Sequence, residues 1–160
     1  MSTCPFVCDS FGADSILRLA NGQLIKMDSI SPGMFLLDST DSPVRVKSLL
    51  VNEFYRGSLI VVTPTLALTP DHFLMTRYGW WSARKLVDHG HARWLPGFAG
   101  TVYNIILENG CSVLDAEGCA ASAINADWLP DWFPTHSVIF LTREIRVWME
   151  QERLYTMKFT

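Results

Sequence analysis

Short apolar runs, several of them alternating with polar residues, dominate the chain, and this pattern predicts β-strands rather than helices. The clearest pair is Ile16-Leu17-Arg18-Leu19 and Leu24-Ile25-Lys26-Met27, which flank Asn21-Gly22, a dipeptide that favours the tight turn of a hairpin. Further strands are predicted at 34–37, 44–51, 57–62, 102–107 and 111–114, and residues 66–75 form an apolar strand that is broken in its middle. Because no long helical periodicity occurs before residue 137, the sequence predicts one all-β domain.

Two glycine-containing stretches predict irregular structure between these strands. Residues 88–100 carry three glycines, a proline and two histidines, a composition that favours a loop. Glu108-Asn109-Gly110 predicts a turn that folds strand 111–114 back onto strand 102–107. The sequence therefore predicts a closing hairpin made of these two strands.

The apolar segment 66–75 is interrupted by Thr69-Pro70-Asp71-His72. Three of these side chains can hydrogen-bond, and the imidazole of His72 can carry a proton near neutral pH. The simplest interpretation is a Pro-Asp turn followed by an incidental histidine. The alternative is a functional Thr-x-x-His motif, and the start of the chain bears on that choice.

A cysteine stands near the start, in Val7-Cys8-Asp9-Ser10-Phe11-Gly12. Pro5 favours an extended approach to Cys8, and residues 1–7 are interpreted as a leader or a leaving group. A thiol is a suitable nucleophile for a neighbouring peptide carbonyl, because part of it is already thiolate at neutral pH.

Together, these stretches resemble the Hint family, the self-processing domains shared by inteins and the autoprocessing half of Hedgehog proteins. In that family a cysteine opens the domain, a Thr-x-x-His motif follows, and then comes a glycine-aromatic segment similar to Gly79-Trp80-Trp81-Ser82. The resemblance covers residues 8–123. It implies an all-β horseshoe of two pseudo-two-fold halves, with Cys8, the turn 69–72 and the closing hairpin in one cleft.

The resemblance also implies a division of the chain and roles for its residues. Residues 1–7 would be a flanking segment, 8–125 the Hint-like domain, and 126–160 an extension that packs on it. The apolar residues from Val138 onward predict a helix, or a strand followed by a helix, in this extension. Because the corresponding segment of Hedgehog proteins addresses a sterol, a lipid role is the alternative to simple packing.

The implied reaction is an N-to-S acyl shift, in which Cys8 attacks the carbonyl of Val7 and forms a thioester. His72 would protonate the departing nitrogen, and Thr69 would hydrogen-bond the scissile peptide. Asp71 would orient the turn. Cys111 or Cys119 would assist or accept the acyl group, unless both are buried structural thiols.

Full splicing is not expected, because the chain lacks the His-Asn ending of splicing inteins: Asn125 stands between Ile124 and Ala126. The chain's own N-terminal segment would be the substrate, and water, a thiol or an alcohol would resolve the thioester. The alternative function is a catalytically silent Hint-like domain that binds a protein or a lipid.

Composition removes several other functions. The net charge of -3 and the absence of a basic run argue against nucleic-acid binding. No segment approaches the roughly 18 apolar residues of a membrane span, and no signal peptide is evident, so a soluble cytoplasmic protein is the default expectation.

No cofactor is expected, and the cysteines are interpreted as free thiols. A metal site is the enzyme-free alternative, but its candidate ligands lack the spacing of structural zinc sites. These candidates are Cys4, Cys8, Cys111, Cys119, His89 and His91.

Overall fold

The computed structural model describes residues 10–108, 110, 113–129, 133, 137–140, 147 and 151, and these are mostly β-strand. One short helix, α1, spans Ala83–Asp88, and 3-10 turns lie at Met27–Ser29 and Ala126–Trp128. The strands are β1 Phe11–Gly12, β2 Ile16–Arg18, β3 Leu24–Lys26, β4 Phe35–Leu37, β5 Pro43–Thr63, β6 Leu66–Leu68, β7 Phe73–Thr76, β8 Gly79–Ser82, β9 Arg93–Leu107, β10 Val113–Ala116, β11 Cys119–Ser122, β12 Ile124–Asn125 and β13 Val138–Phe140. The all-β expectation is confirmed.

The long strands β5 and β9 form the spine of the fold. They pair antiparallel from Val46 opposite Leu107 to Val61 opposite Arg93, with three register shifts along the way. They belong to a seven-stranded sheet with the order β12-β9-β1-β6-β5-β13, and β4 also pairs with β5. The short strand β1 thus lies between β9 and β6, at the centre of the sheet.

A second sheet has the order β10-β11-β7-β8, and the predicted hairpin β2-β3 forms a separate pair. Gly22 takes a positive φ of 89° in that hairpin, as the tight turn requires. Side chains from the two sheets and from the β2-β3 hairpin fill one main apolar core. Its fully buried large side chains include Phe11, Leu17, Met27, Leu36, Ile60, Leu66, Leu68, Ile105, Leu107 and Leu114.

The predicted loop 88–100 is wrong from residue 93 onward, because β9 begins at Arg93. Leu95 pairs with Leu59 and Phe98 with Gly57, so Pro96 and Gly97 fall at a register shift. A β-bulge accepts a proline and a positive-φ glycine without ending the strand. The two strands predicted at 44–51 and 57–62 are likewise one continuous strand, β5.

The predicted closing hairpin is also wrong in its pairing. β10 pairs antiparallel with β11, whereas β9 pairs with β12, β1 and β5. The turn of the observed hairpin is Glu117-Gly118, with φ values of 50° and 91°. Positive φ at both central residues is the geometry of a type I′ turn. Glu117-Gly118, and not the predicted Glu108-Asn109-Gly110, therefore makes the turn of this hairpin.

The described part of the predicted extension contributes a strand. β13 pairs in parallel with β5, and Ile139 joins Leu50, Ile106, Ile124 and Phe133 in a second apolar cluster. Val147 and Gln151 have helical backbone conformation. The domain boundaries at 7 and 125 stay a prediction.

Among the described residues, no helix is long and apolar enough to cross a membrane.

Replacing Gly118 should destabilise the β10-β11 hairpin. Gly118→Ala should lower the free energy of unfolding by about 1 kcal/mol, because a Cβ is unfavourable at positive φ although the space around it is open. Gly118→Asn should lose less, since asparagine tolerates this conformation better. Urea unfolding of the two variants measures the difference, and equal midpoints for Gly118→Ala and the original chain would contradict the turn assignment.

Candidate active site

The Thr-x-x-His segment forms a tight turn fixed by backbone hydrogen bonds. The N–H of His72 donates to the carbonyl of Thr69 at 3.0 Å, which closes a β-turn. The N–H groups of Ala83 and Arg84, at the start of α1, donate to the carbonyls of His72 and Pro70 at 2.7 and 2.9 Å. The turn is therefore held by the first turn of α1.

Asp71 contributes to the same attachment. Its Oδ1 lies 3.1 Å from Nη2 of Arg84, and the aspartate side chain is 28% exposed. This ion pair links the turn to α1, and the assisting role of Asp71 stays a prediction.

Thr69 is bonded to Ser10, a residue that the sequence analysis did not single out. Phe11 pairs antiparallel with Leu68, so the residue before Phe11 lies opposite the residue after Leu68. The N–H of Thr69 donates to the carbonyl of Ser10 at 3.0 Å, and the N–H of Ser10 donates to Thr69 Oγ1 at 2.8 Å. Oγ1 also lies 3.3 Å from the Ser10 carbonyl oxygen, to which it donates.

His72 is fully buried beside this pair. Its Nε2 lies 2.7 Å from the carbonyl oxygen of Ser122, at the end of β11. Since a carbonyl only accepts, Nε2 carries the ring proton in the neutral form. The ring also packs edge-on against Phe11, with centroids 4.5 Å apart and planes at 70°.

The other ring nitrogen, Nδ1, has no hydrogen-bond partner of ordinary geometry among the described residues. Burial lowers the pKa of His72 to about 4, although bonding to the backbone of Ser122 and, more weakly, of Ser10 opposes the shift. The Ser10 backbone raises the pKa because its carbonyl oxygen stabilises the protonated ring, although no hydrogen bond of ordinary geometry joins it to Nδ1. His72 is therefore neutral at pH 7, with an unprotonated Nδ1.

Cys119 is a half-buried free thiol in β11. Burial raises its pKa, and the carboxylates of Asp115 and Glu117 raise it further. Both effects reduce the thiolate fraction on which nucleophilicity depends. Cys8 and Cys111 lie outside the described residues, so their predicted roles stay predictions.

The structure thus brings Thr69 and His72 together as predicted and adds Ser10 and the carbonyl of Ser122. Both additions depend on strand register. Ser10 could have been found from the sequence by pairing Phe11 with Leu68, which places Ser10 opposite Thr69.

No three histidine, cysteine, aspartate or glutamate side chains in the described part of the chain are grouped to hold a metal ion. His89, a ligand in the alternative metal site, packs against Trp81 with ring centroids 4.5 Å apart. Cys4, like Cys8 and Cys111, lies outside the residues described.

The burial of His72 predicts an acid-sensitive fold. Its pKa is about 4 when folded and about 6.5 when unfolded, so the unfolded chain binds more protons between these values. Stability contributed by neutral His72 is fully present above pH 6.5 and is lost as the pH falls towards 4, by roughly 3 kcal/mol. His72→Gln should lose less stability over this window. Urea unfolding at several pH values measures this, and parallel losses in both proteins would contradict the buried neutral imidazole.

No protein-family model and no curated protein matches the sequence. Solved structures, however, are similar in fold. The solution structure of a bacterial intein-like domain from Clostridium thermocellum has a TM-score of 0.57 and 15% identity, over 71% of this chain and 97% of that chain.

Two crystal structures are similar to the same extent. A DnaB intein from Synechocystis sp. PCC 6803 has a TM-score of 0.55 and 12% identity, over 72% of this chain and 98% of that one. The MchDnaB-1 intein has a TM-score of 0.56 and 15% identity, with 71% and 98% covered. The chain therefore has the fold of inteins and intein-like domains, the Hint fold that its motifs resembled.

Proposed function

We propose that this domain processes itself, by an acyl shift that transfers its N-terminal segment from a backbone nitrogen to a nucleophilic side chain. From the sequence, that side chain is the Cys8 thiol, and the product is a thioester at the Val7–Cys8 junction. The observation that most supports self-processing is the contact between the Thr69–His72 turn and the N-terminal backbone. Thr69 binds the backbone of Ser10 and His72 lies close to it, two residues after Cys8 in the sequence.

The reaction requires that a proton leaves the nucleophile and that a proton reaches the departing nitrogen. A peptide bond resists attack because resonance stabilises it, and its nitrogen leaves only when protonated. Neutral His72 has an unprotonated Nδ1, so it must first accept a proton and only then donate it. The nucleophile can supply that proton, and His72 then delivers it to the departing nitrogen.

Thr69 supports this step by binding the peptide. Thr69 Oγ1 accepts from the N–H of Ser10, and the N–H of Thr69 donates to the carbonyl of Ser10. Such fixed hydrogen bonds orient the peptide before reaction and require no rearrangement during it.

The sequence contains no His-Asn pair for release by asparagine cyclisation. Asn125 is buried, and its Oδ1 accepts from the N–H of Asp127 at 2.9 Å, capping the turn Ala126–Trp128. The acyl intermediate would therefore pass to water, a thiol or an alcohol. A folded domain that never forms this intermediate would instead favour the binding module.

A fusion with reporters at both ends should yield no ligated product. The measurement is electrophoresis with antibodies to each reporter. A band that carries both reporters without the domain would contradict the proposed absence of splicing.

A fusion with a tag before Met1 should release that tag, and the rate should depend on the turn. His72→Ala should nearly abolish release because the proton relay is lost. Thr69→Ala should slow it by roughly ten- to a thousandfold, the effect of one oriented hydrogen bond in other acyl-transfer sites. Electrophoresis over time measures release.

The matched control for the threonine variant is Thr40→Ala, since Thr40 is exposed and bonds to Asp38 in a surface turn. Its release rate should equal that of the original chain. Release unaffected by His72→Ala would remove the proposed mechanism.

A further inference from the structure

We propose that the nucleophile of this self-processing reaction is the hydroxyl of Ser10, and that the bond it attacks is Asp9–Ser10. The assignment rests on the proposed function and replaces Cys8, the nucleophile predicted from the sequence. Its product is an oxygen ester rather than a thioester.

The first argument is the identity of the peptide that Thr69 binds. Thr69 Oγ1 accepts from the N–H of Ser10 at 2.8 Å, and that nitrogen belongs to the Asp9–Ser10 peptide. The nitrogen held by Thr69 is the one that must leave if this bond is cleaved. The backbone of Ser10 is also the group that approaches His72 from the N-terminal segment. Both motif residues therefore act on the backbone of Ser10: Thr69 binds the nitrogen of the Asp9–Ser10 peptide, and His72 lies near the Ser10 carbonyl.

The second argument is that the register of β1 cannot move to bring Cys8 into this place. Phe11 is fully buried between Leu68 and Tyr103 and packs against the ring of His72. A shift of two residues that put Cys8 in the position of Ser10 would put Asp9 in the position of Phe11. Burying an unpaired carboxylate there would be strongly unfavourable. The apolar core thus fixes Ser10, and not Cys8, opposite Thr69.

The third argument concerns the base. A hydroxyl is a poor nucleophile unless a base takes its proton, whereas a thiol is already partly ionised. His72 is neutral at pH 7, and its Nε2 proton is committed to the Ser122 carbonyl. Its Nδ1 therefore carries a lone pair and is the ring nitrogen that can accept a proton. A neutral acceptor at this place suits a serine, which needs such a base.

The step balances without another reactant. Ser10 Oγ forms a bond to the carbonyl carbon of Asp9, and the bond between that carbon and the Ser10 nitrogen breaks. The electron pair of the broken bond stays on nitrogen. The hydroxyl proton passes to Nδ1 of His72 and from there to the nitrogen, which becomes a free α-amine. Water or an added nucleophile then cleaves the ester.

Substitutions at Ser10 and Cys8 in the N-terminally tagged full chain test the assignment. Ser10→Ala should reduce tag release by more than a hundredfold, a larger loss than Cys8→Ala causes. Hydroxylamine should accelerate release from the original chain, and dithiothreitol should not. Ser10→Cys should restore release and make it respond to dithiothreitol, because the product becomes a thioester.

Ser29→Ala is the matched control, since Ser29 is an exposed serine distant in sequence from the turn 69–72. Circular dichroism of each variant confirms that it is folded. Release that persists in folded Ser10→Ala and disappears in Cys8→Ala would overturn the Ser10 assignment and leave self-processing intact. A folded original chain and a folded Ser10→Cys variant that both retain the tag would refute self-processing itself.

Discussion

The pairing of β1 with β6 is the constraint on which the site depends. β1 is only two residues long, yet it lies between β6 and β9 and buries Phe11 completely. This pairing aligns Ser10 with Thr69 and places Phe11 against His72. The packing of one aromatic side chain thereby sets which peptide bond meets the Thr-x-x-His turn.

The second determinant is the burial of His72. A fully buried imidazole with one proton committed to a carbonyl is held in a single tautomer, and its pKa falls because the charged form is not solvated. This arrangement lowers stability in acid but keeps an acceptor nitrogen beside the N-terminal backbone at neutral pH. The carbonyl that fixes the tautomer belongs to Ser122, on β11. The β10-β11 hairpin therefore takes part in the site through its backbone rather than through a side chain.

Much of this organisation could be predicted from local sequence. Asn21-Gly22 correctly indicated the β2-β3 hairpin, and the polar interruption at Thr69 and His72 correctly indicated that these residues share a turn at the N-terminal backbone. These features depend on turn chemistry and short patterns, which a single segment contains.

Features that depend on pairing between distant segments were harder to predict. Pro96 and Gly97 resemble loop residues, yet a bulge opposite β5 keeps them within β9. Ser10 was not predicted as a site residue, because its place opposite Thr69 depends on the register of β1 rather than on a local motif. Reactivity identifies candidate nucleophiles, but the position of the neighbouring core residue decides which candidate reaches the turn.

The C-terminal residue of the released segment shows most directly which peptide bond is cleaved, Val7–Cys8 or Asp9–Ser10. Mass spectrometry of the N-terminal fragment freed by hydroxylamine from the tagged chain would identify the residue that carried the acyl group. We expect a fragment ending in the hydroxamate of Asp9. A fragment ending at Val7 would contradict the assignment of the cleaved bond to Asp9–Ser10.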